Sequence, residues 1–107
     1  MKHFTRLKTS KEFNGVYNHA TKIWHTPYFV LFYKKTAEYR VGFVASKKIG
    51  NAVQRNRAKR LLRAHFIENS EMLPEGSYVF VAKPAIIEAD FQDVRKSYLH
   101  ALKKVLS

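Results

Sequence analysis

No cysteine occurs among the 107 residues, which excludes a disulfide scaffold, a Cys-ligated zinc site and a thiol nucleophile. This usage is compatible with a reducing cytoplasm, the compartment we expect. No window approaches the ~20 consecutive apolar residues of a membrane-spanning helix. The opening residues, Met1 to Lys8, lack the apolar run of a signal peptide, so no membrane partner is expected. The four glycines (Gly15, Gly42, Gly50, Gly76) are scattered, so there is no glycine-rich loop to cradle a phosphate. Internal repeats, low-complexity stretches and linkers are missing as well, and residues 1–107 read as one domain with one core.

Acids are scarce too. Eight Asp and Glu stand against 20 Lys and Arg, for a net charge of +12 and a pI of about 10.1, the electrostatic footprint of a nucleic-acid binder. None of the eight acids has a metal-ligand spacing supported by a nearby histidine. Glu88, Asp90 and Asp93 cluster, but as a helix-start signature. The five histidines are dispersed, and His65 reads as a packed or interface residue. No Ser-His-Asp constellation can be assembled from these spacings. We therefore expect no catalytic and no metal-ligating residue, and a protein that binds without doing bond chemistry.

The cations concentrate in one stretch. Lys47, Lys48, Arg55, Arg57, Lys59, Arg60 and Arg63 lie within 17 residues, and no Asp or Glu occurs from Tyr39 to Ile67. Gly50 breaks the chain, Asn51 is a good N-cap, and Gln54 completes a capping-box pattern. A helix should follow to about Ile67, roughly 24 Å long at ~1.5 Å per residue. Its helical periodicity places Ala58, Leu61, Leu62, His65 and Phe66 on one side and Asn56, Lys59, Arg60 and Arg63 on the other. Arg57 falls at the edge, and Arg55 lies near the apolar face and must snorkel out. A solvated helix face normally mixes signs, because like charges cost a few tenths of a kcal/mol each. A one-sign ridge rich in arginine, with an asparagine among them, suits phosphate and sugar edges.

The remaining elements follow from local signals. A basic arm carries Lys2, Arg6 and Lys8. Thr9 with Glu12 forms a second capping box, opening a short helix to about His19 with Phe13, Val16 and Tyr17 on one face. Residues 22–25 form a short strand. Tyr28–Tyr33 is a strand apolar on both faces, followed after a polar turn by Tyr39–Ser46 as its antiparallel partner, where Gly42 marks a bulge or a close backbone approach. Ser77–Lys83 is a further strand, and Asp90 caps a last helix to about Leu106 with a core stripe of Phe91, Val94, Tyr98, Ala101, Leu102 and Val105.

The expected fold is thus α+β, a single-domain two-layer sandwich in the order α-β-β-β-α-β-α. The strands around the basic helix form a parallel crossover unit, for which the base rate favours a right-handed connection. Phe13, Tyr17 and Phe32 are open to two uses: core packing, or a stacking platform for unpaired bases.

The run Lys47-Lys48-Ile49-Gly50-Asn51-Ala52-Val53, followed by Arg55-Asn56-Arg57-x-Lys59-Arg60-x-x-Arg63, resembles the protein subunit of bacterial ribonuclease P. Leu7-Lys8 with Phe13, Val16 and Tyr17 resembles that family's first helix. Phe29-Val30-Leu31-Phe32 and Arg40-Val41-Gly42 resemble its strands, so the resemblance covers essentially the whole chain. The family position of Tyr17 is expected to hold Phe, and Tyr still stacks.

The resemblance implies a ribosomal-protein-like domain with a left-handed crossover, against the base rate. It implies the protein subunit of an endoribonuclease holoenzyme that removes the 5′ leader from precursor tRNA. There an RNA subunit performs the hydrolysis with Mg2+, and the protein, a monomer within the ribonucleoprotein, binds no cofactor of its own. It further implies that Lys47, Lys48, Asn51, Arg55, Asn56, Arg57, Lys59, Arg60 and Arg63 face the RNA subunit or the cleavage-site region, and that Phe13, Tyr17 and Phe32 line the cleft for the leader. The other readings are a ribosomal or RNA-chaperone-type RNA-binding protein and a protein-only nuclease.

Overall fold

The computed structural model describes residues 3–107, so Lys2 of the basic arm lies outside the described residues. The elements in chain order are β1 (Thr5–Arg6), α1 (Ser10–Asn18), β2 (Lys22–His25), β3 (Phe29–Lys34), β4 (Tyr39–Val44), α2 (Ala52–Asn69), β5 (Gly76–Ala82) and α3 (Phe91–Leu106). Short 3-10 turns at Lys47–Ile49, Ser70–Met72 and Pro84–Glu88 connect them. The expected order holds, with β1 added at the front, where two residues are too few for any periodicity to register.

The five strands form one sheet in the order β1-β4-β5-β3-β2. β3 and β4 are not hairpin partners, contrary to the pairing expected from their short connection. β5 lies between them, antiparallel to β3 and parallel to β4. The physical reason is burial. Six of the seven β5 residues are buried, and a strand covered on both faces belongs in the centre of a sheet. Residues 35–38 are long enough to step over one intervening strand, since neighbouring strands lie ~4.8 Å apart. Gly76 N–H donates to Glu38 O at 2.7 Å where β5 enters beneath that step.

α2 and α3 cover one face of the sheet. Leu62, Phe66, Val94, Tyr98 and Leu102 pack there against Phe29, Leu31, Tyr78 and Phe80. The rings of Phe80 and Tyr98 stack at 4.8 Å. α1 alone lies on the opposite face, where Val16 packs with Leu7 and Val79. The β4–α2–β5 crossover is left-handed. A right-handed connection would carry α2 to the face that α1 occupies, so the base rate yields here to the packing.

α1 begins with the expected capping box. Thr9 Oγ1 accepts from Glu12 N–H, and Glu12 Oε1 accepts from Thr9 N–H. The backbone N–H of Thr9, followed by that of Lys8, donates to the Glu12 carboxyl and holds it below its usual pKa. Glu12 also pairs with Arg40 on β4 at 2.7 Å, and Arg40 pairs with Glu38, so the helix is fastened to the sheet. Gly42 is the close approach, not a bulge. A Cβ there would lie 2.4 Å from Phe13 Cε1 and 3.3 Å from Leu7 Cδ1. The missing side chain lets the Phe13 ring settle on β4.

His65 is fully buried, inside the core as expected, with its ring 4.3 Å from Phe91 and 5.5 Å from Tyr98. Neither ring nitrogen has a hydrogen-bond partner among the described residues. Burial lowers its pKa below the usual 6.5; Glu68 opposes this shift and Arg95 adds to it. Phe91, expected in the core stripe of α3, is half exposed instead. As the first residue of that helix it overhangs the edge of the core.

Gly42→Ala should lower the unfolding free energy in urea by about 1–3 kcal/mol through overpacking against Phe13. Gly15→Ala, with nothing within 4 Å of the added Cβ, should raise it by about 0.5–1 kcal/mol through helix propensity. Equal effects at the two glycines would remove the special role of Gly42. The lowered His65 pKa means that the unfolded chain binds the extra proton first. Stability is therefore complete above about pH 7 and declines as the pH falls through 6.5 toward the folded value. Thermal unfolding from about pH 7.5 to 5.5 should show this decline in the parent and a flatter profile in His65→Leu; identical profiles would contradict it.

Candidate nucleic-acid interface

Two surfaces are assembled by the fold, one on each side of the sheet. The first is α2 with the 3-10 turn before it. β4 ends at Val44, and Ser46 opens the turn, its Oγ accepting from Lys48 N–H at 3.3 Å. Ile49 is buried and anchors the turn, while Lys47 and Lys48 stay exposed beside it. Gly50 has φ +143, a conformation that L side chains rarely adopt. A Cβ there would also strike the Gln54 side chain.

That side chain completes the predicted capping box. Gln54 N–H donates to Asn51 Oδ1 at 2.9 Å, and Asn51 N–H donates to Gln54 Oε1 at 3.0 Å. Asn51 thus commits its side-chain oxygen to the cap and keeps its amide donors for solvent.

The roll of α2 is nearly as its periodicity predicts. Ala58, Leu62, His65 and Phe66 are buried, whereas Leu61 is only half-buried. Asn56, Arg57 and Arg60 are exposed, and Lys59 and Arg63 are half-buried. Arg55 does turn away from the apolar face, but it turns back along the chain, its Nη1 donating to Gly50 O at 2.9 Å. It braces the turn that presents Lys47 and Lys48.

The described ion pairs, Arg40–Glu12, Arg40–Glu38 and Arg95–Glu68, include none of the seven cations of the basic run. Arg55 moreover sits at the end of the first turn of α2, where the helix dipole disfavours positive charge by up to about 0.3–1 kcal/mol. Neither ion pairing nor helix stability accounts for this charge. It forms a surface of one sign suited to a polyanion.

The second surface lies on the α1 face. Phe13 and Tyr17 project from α1, and Phe32 rises from the floor of β3. The Tyr17 ring meets Phe32 edge-on at 4.9 Å, and Phe13 lies 6.4 Å from Tyr17. All three are half-buried: each packs against the small core around Val79, and each keeps part of its surface open. Packing and binding are therefore both available to the same rings. Burial raises the Tyr17 pKa, so its phenol remains a neutral hydrogen-bond donor.

Next to them the sheet continues uncovered, with Val30, Val44 and Val81 half-buried in one cross-strand row and Ile23 exposed beside Phe32. That row ends where the chain leaves β4 for Lys47, so the apolar strip runs toward the cationic turn.

Among the described residues no group of His, Asp and Glu has the geometry to hold a metal ion, and no helix is long and apolar enough to cross a membrane. Periodicity did not reveal the exposed apolar positions Val53 and Ile67 of α2 and Phe91 of α3. Val53 and Ile67 show in the sequence only as an interruption of the polar face of α2, which a one-dimensional stripe treats as noise.

The sequence model described as Ribonuclease P matches residues 1–106. The chain is 50% identical to the ribonuclease P protein component of a Nitratiruptor species, over 98% of this chain and 95% of that one. It is 35% identical to that of a Geobacillus species, over 97% and 92%. Its fold matches the RNase P protein from Thermotoga maritima with a TM-score of 0.80 and 31% identity, over 94% of this chain and 96% of that one. For the Staphylococcus aureus RNase P protein the TM-score is 0.83 at 26% identity, over 95% and 94%.

Proposed function

The chain belongs to the ribonuclease P protein family, and from that membership we propose that it is the protein subunit of a cytoplasmic ribonuclease P ribonucleoprotein, assisting removal of the 5′ leader from precursor tRNA. The observation that carries this reading is the cationic surface from Lys47 to Arg63, on α2 and its preceding turn, a stretch without a single Asp or Glu. The RNA subunit is the partner of that surface. Phosphates docked along Lys47, Lys48, Arg57, Lys59, Arg60 and Arg63 would offset the mutual repulsion of the cations, and Asn51 and Asn56 offer amide donors to sugar and base edges. Arg55 holds the turn and contributes its remaining N–H groups.

The leader is the partner of the opposite face. Its unpaired bases lie against Phe13, Tyr17 and Phe32, at about 1–3 kcal/mol per stacked base, and its backbone runs toward Lys47. Hydrolysis falls to Mg2+ held by the RNA subunit. The protein contributes by charge neutralisation and by holding the substrate, as one monomer within the particle.

The ridge and the cleft predict different signatures. Arg57→Ala combined with Arg60→Ala should weaken binding to a bacterial ribonuclease P RNA and flatten its salt dependence by roughly one unit of slope for each phosphate no longer neutralised. Phe13→Ala combined with Tyr17→Ala should weaken binding of precursor tRNA by the assembled enzyme while leaving mature tRNA unaffected. An unchanged slope would take phosphate away from the ridge, and equal losses for both tRNAs would take the leader away from the cleft.

A further inference from the structure

A groove of about 740 Å3 separates the outer side of α2 from the 3-10 turn Pro84–Glu88 and the start of α3. Its wall includes Val53, Ile67 and Phe91, which are 74%, 59% and 47% exposed. Its cations are Arg57, Arg60 and Arg63, and the described lining includes no Asp or Glu. We propose that this groove seats an unpaired nucleotide of the bound RNA, the base against Phe91 and the apolar wall, the flanking phosphates on the arginines. This rests on the reading of α2 as an RNA-binding helix and adds a base pocket to what is otherwise a phosphate ridge.

Three features favour a nucleotide. First, Arg63 Nε is buried and has no hydrogen-bond partner among the described residues. An unmatched buried donor is unfavourable, and a base carbonyl or phosphate oxygen in the groove would supply its acceptor. Second, Phe91 has a ring neighbour in His65 at 4.3 Å and yet is half exposed. A supported and partly open ring offers a stacking surface at little entropic cost. Third, the arginines of the rim belong to the same cationic run, which continues beyond the groove to Lys47 and Lys48 along a longer polyanion. The volume falls within the ~300–1,000 Å3 usual for small-ligand pockets, room for a base with part of its backbone.

The test compares Phe91→Ala and Val53→Ser with Arg57→Ala/Arg60→Ala in binding to a bacterial ribonuclease P RNA over a range of salt. Base-specific chemical probing of each complex reports which unpaired bases are shielded. Val53 is largely exposed in the first turn of α2, so its variant leaves the core intact. Phe91→Trp should restore what Phe91→Ala loses.

The expected result for Phe91→Ala is about tenfold weaker binding, within the range for removal of one base–aromatic stack. Salt slope should be unchanged, and one or two unpaired bases of the RNA should lose protection. Val53→Ser should lose the same protection with a smaller change in affinity. If the arginine pair flattens the slope while both groove variants keep full affinity and protection, the base pocket is overturned and the RNA-binding helix stands. If the arginine pair also leaves affinity and slope unchanged, the underlying reading of α2 fails with it.

Discussion

The Phe66 ring has four aromatic neighbours, Phe4, Phe43, Tyr78 and Phe80, with centroids 4.8 to 6.0 Å away. This contact sets the roll of α2 on the sheet, and with it the direction of every cation the helix carries. Magnitudes explain why the arrangement is stable. Burying a side chain of this kind contributes roughly 1.5–3 kcal/mol, and Leu62 and Ala58 add to it on the same face. A like-charge neighbour on a helix surface costs only a few tenths of a kcal/mol. A few buried residues therefore hold a concentrated one-sign ridge in place without internal neutralisation.

The two faces of the sheet divide the work. The α2/α3 face is thoroughly filled and rigidly defines the cationic side of the molecule. The α1 face is filled only in part, because a nine-residue helix cannot cover five strands. Gly42 lets Phe13 sit low on β4, the Arg40–Glu12 pair fastens the helix above it, and the rest of the face is left as an apolar strip. A similar gap appears at the outer edge of α2, where the first residue of α3 overhangs the core and opens a groove. Both incomplete coverings place aromatic carbon beside positive charge, the combination that binds unpaired nucleotides.

Much of this was legible along the chain. Both capping boxes form with the partners their spacing names, Thr9 with Glu12 and Asn51 with Gln54, because a cap is a local event within four residues. The buried side of α2 was legible for Ala58, Leu62, His65 and Phe66 through helical periodicity. Position between strands was not. A hairpin between β3 and β4 is the local solution, and β5 enters between them only because its burial on both faces outweighs proximity in sequence. Handedness was legible only through family resemblance, since it depends on α1 occupying the far face. Phe91 was misplaced because periodicity describes the interior of a helix and not its first residue. Arg55 was expected to leave the apolar face, but nothing in the pattern specified that it would return to Gly50 O.

As proposed, this protein does no bond chemistry and makes a catalytic RNA effective on precursor tRNA. The direct measurement is cleavage of a 5′-extended precursor tRNA at low magnesium, comparing buffer, this protein, a bacterial ribonuclease P RNA, and the two together. Efficient cleavage at the leader junction is expected only in the combined reaction. Cleavage by the protein alone would contradict it by revealing a catalytic site in the chain. A combined reaction no faster than RNA alone would contradict it by removing the protein from the enzyme.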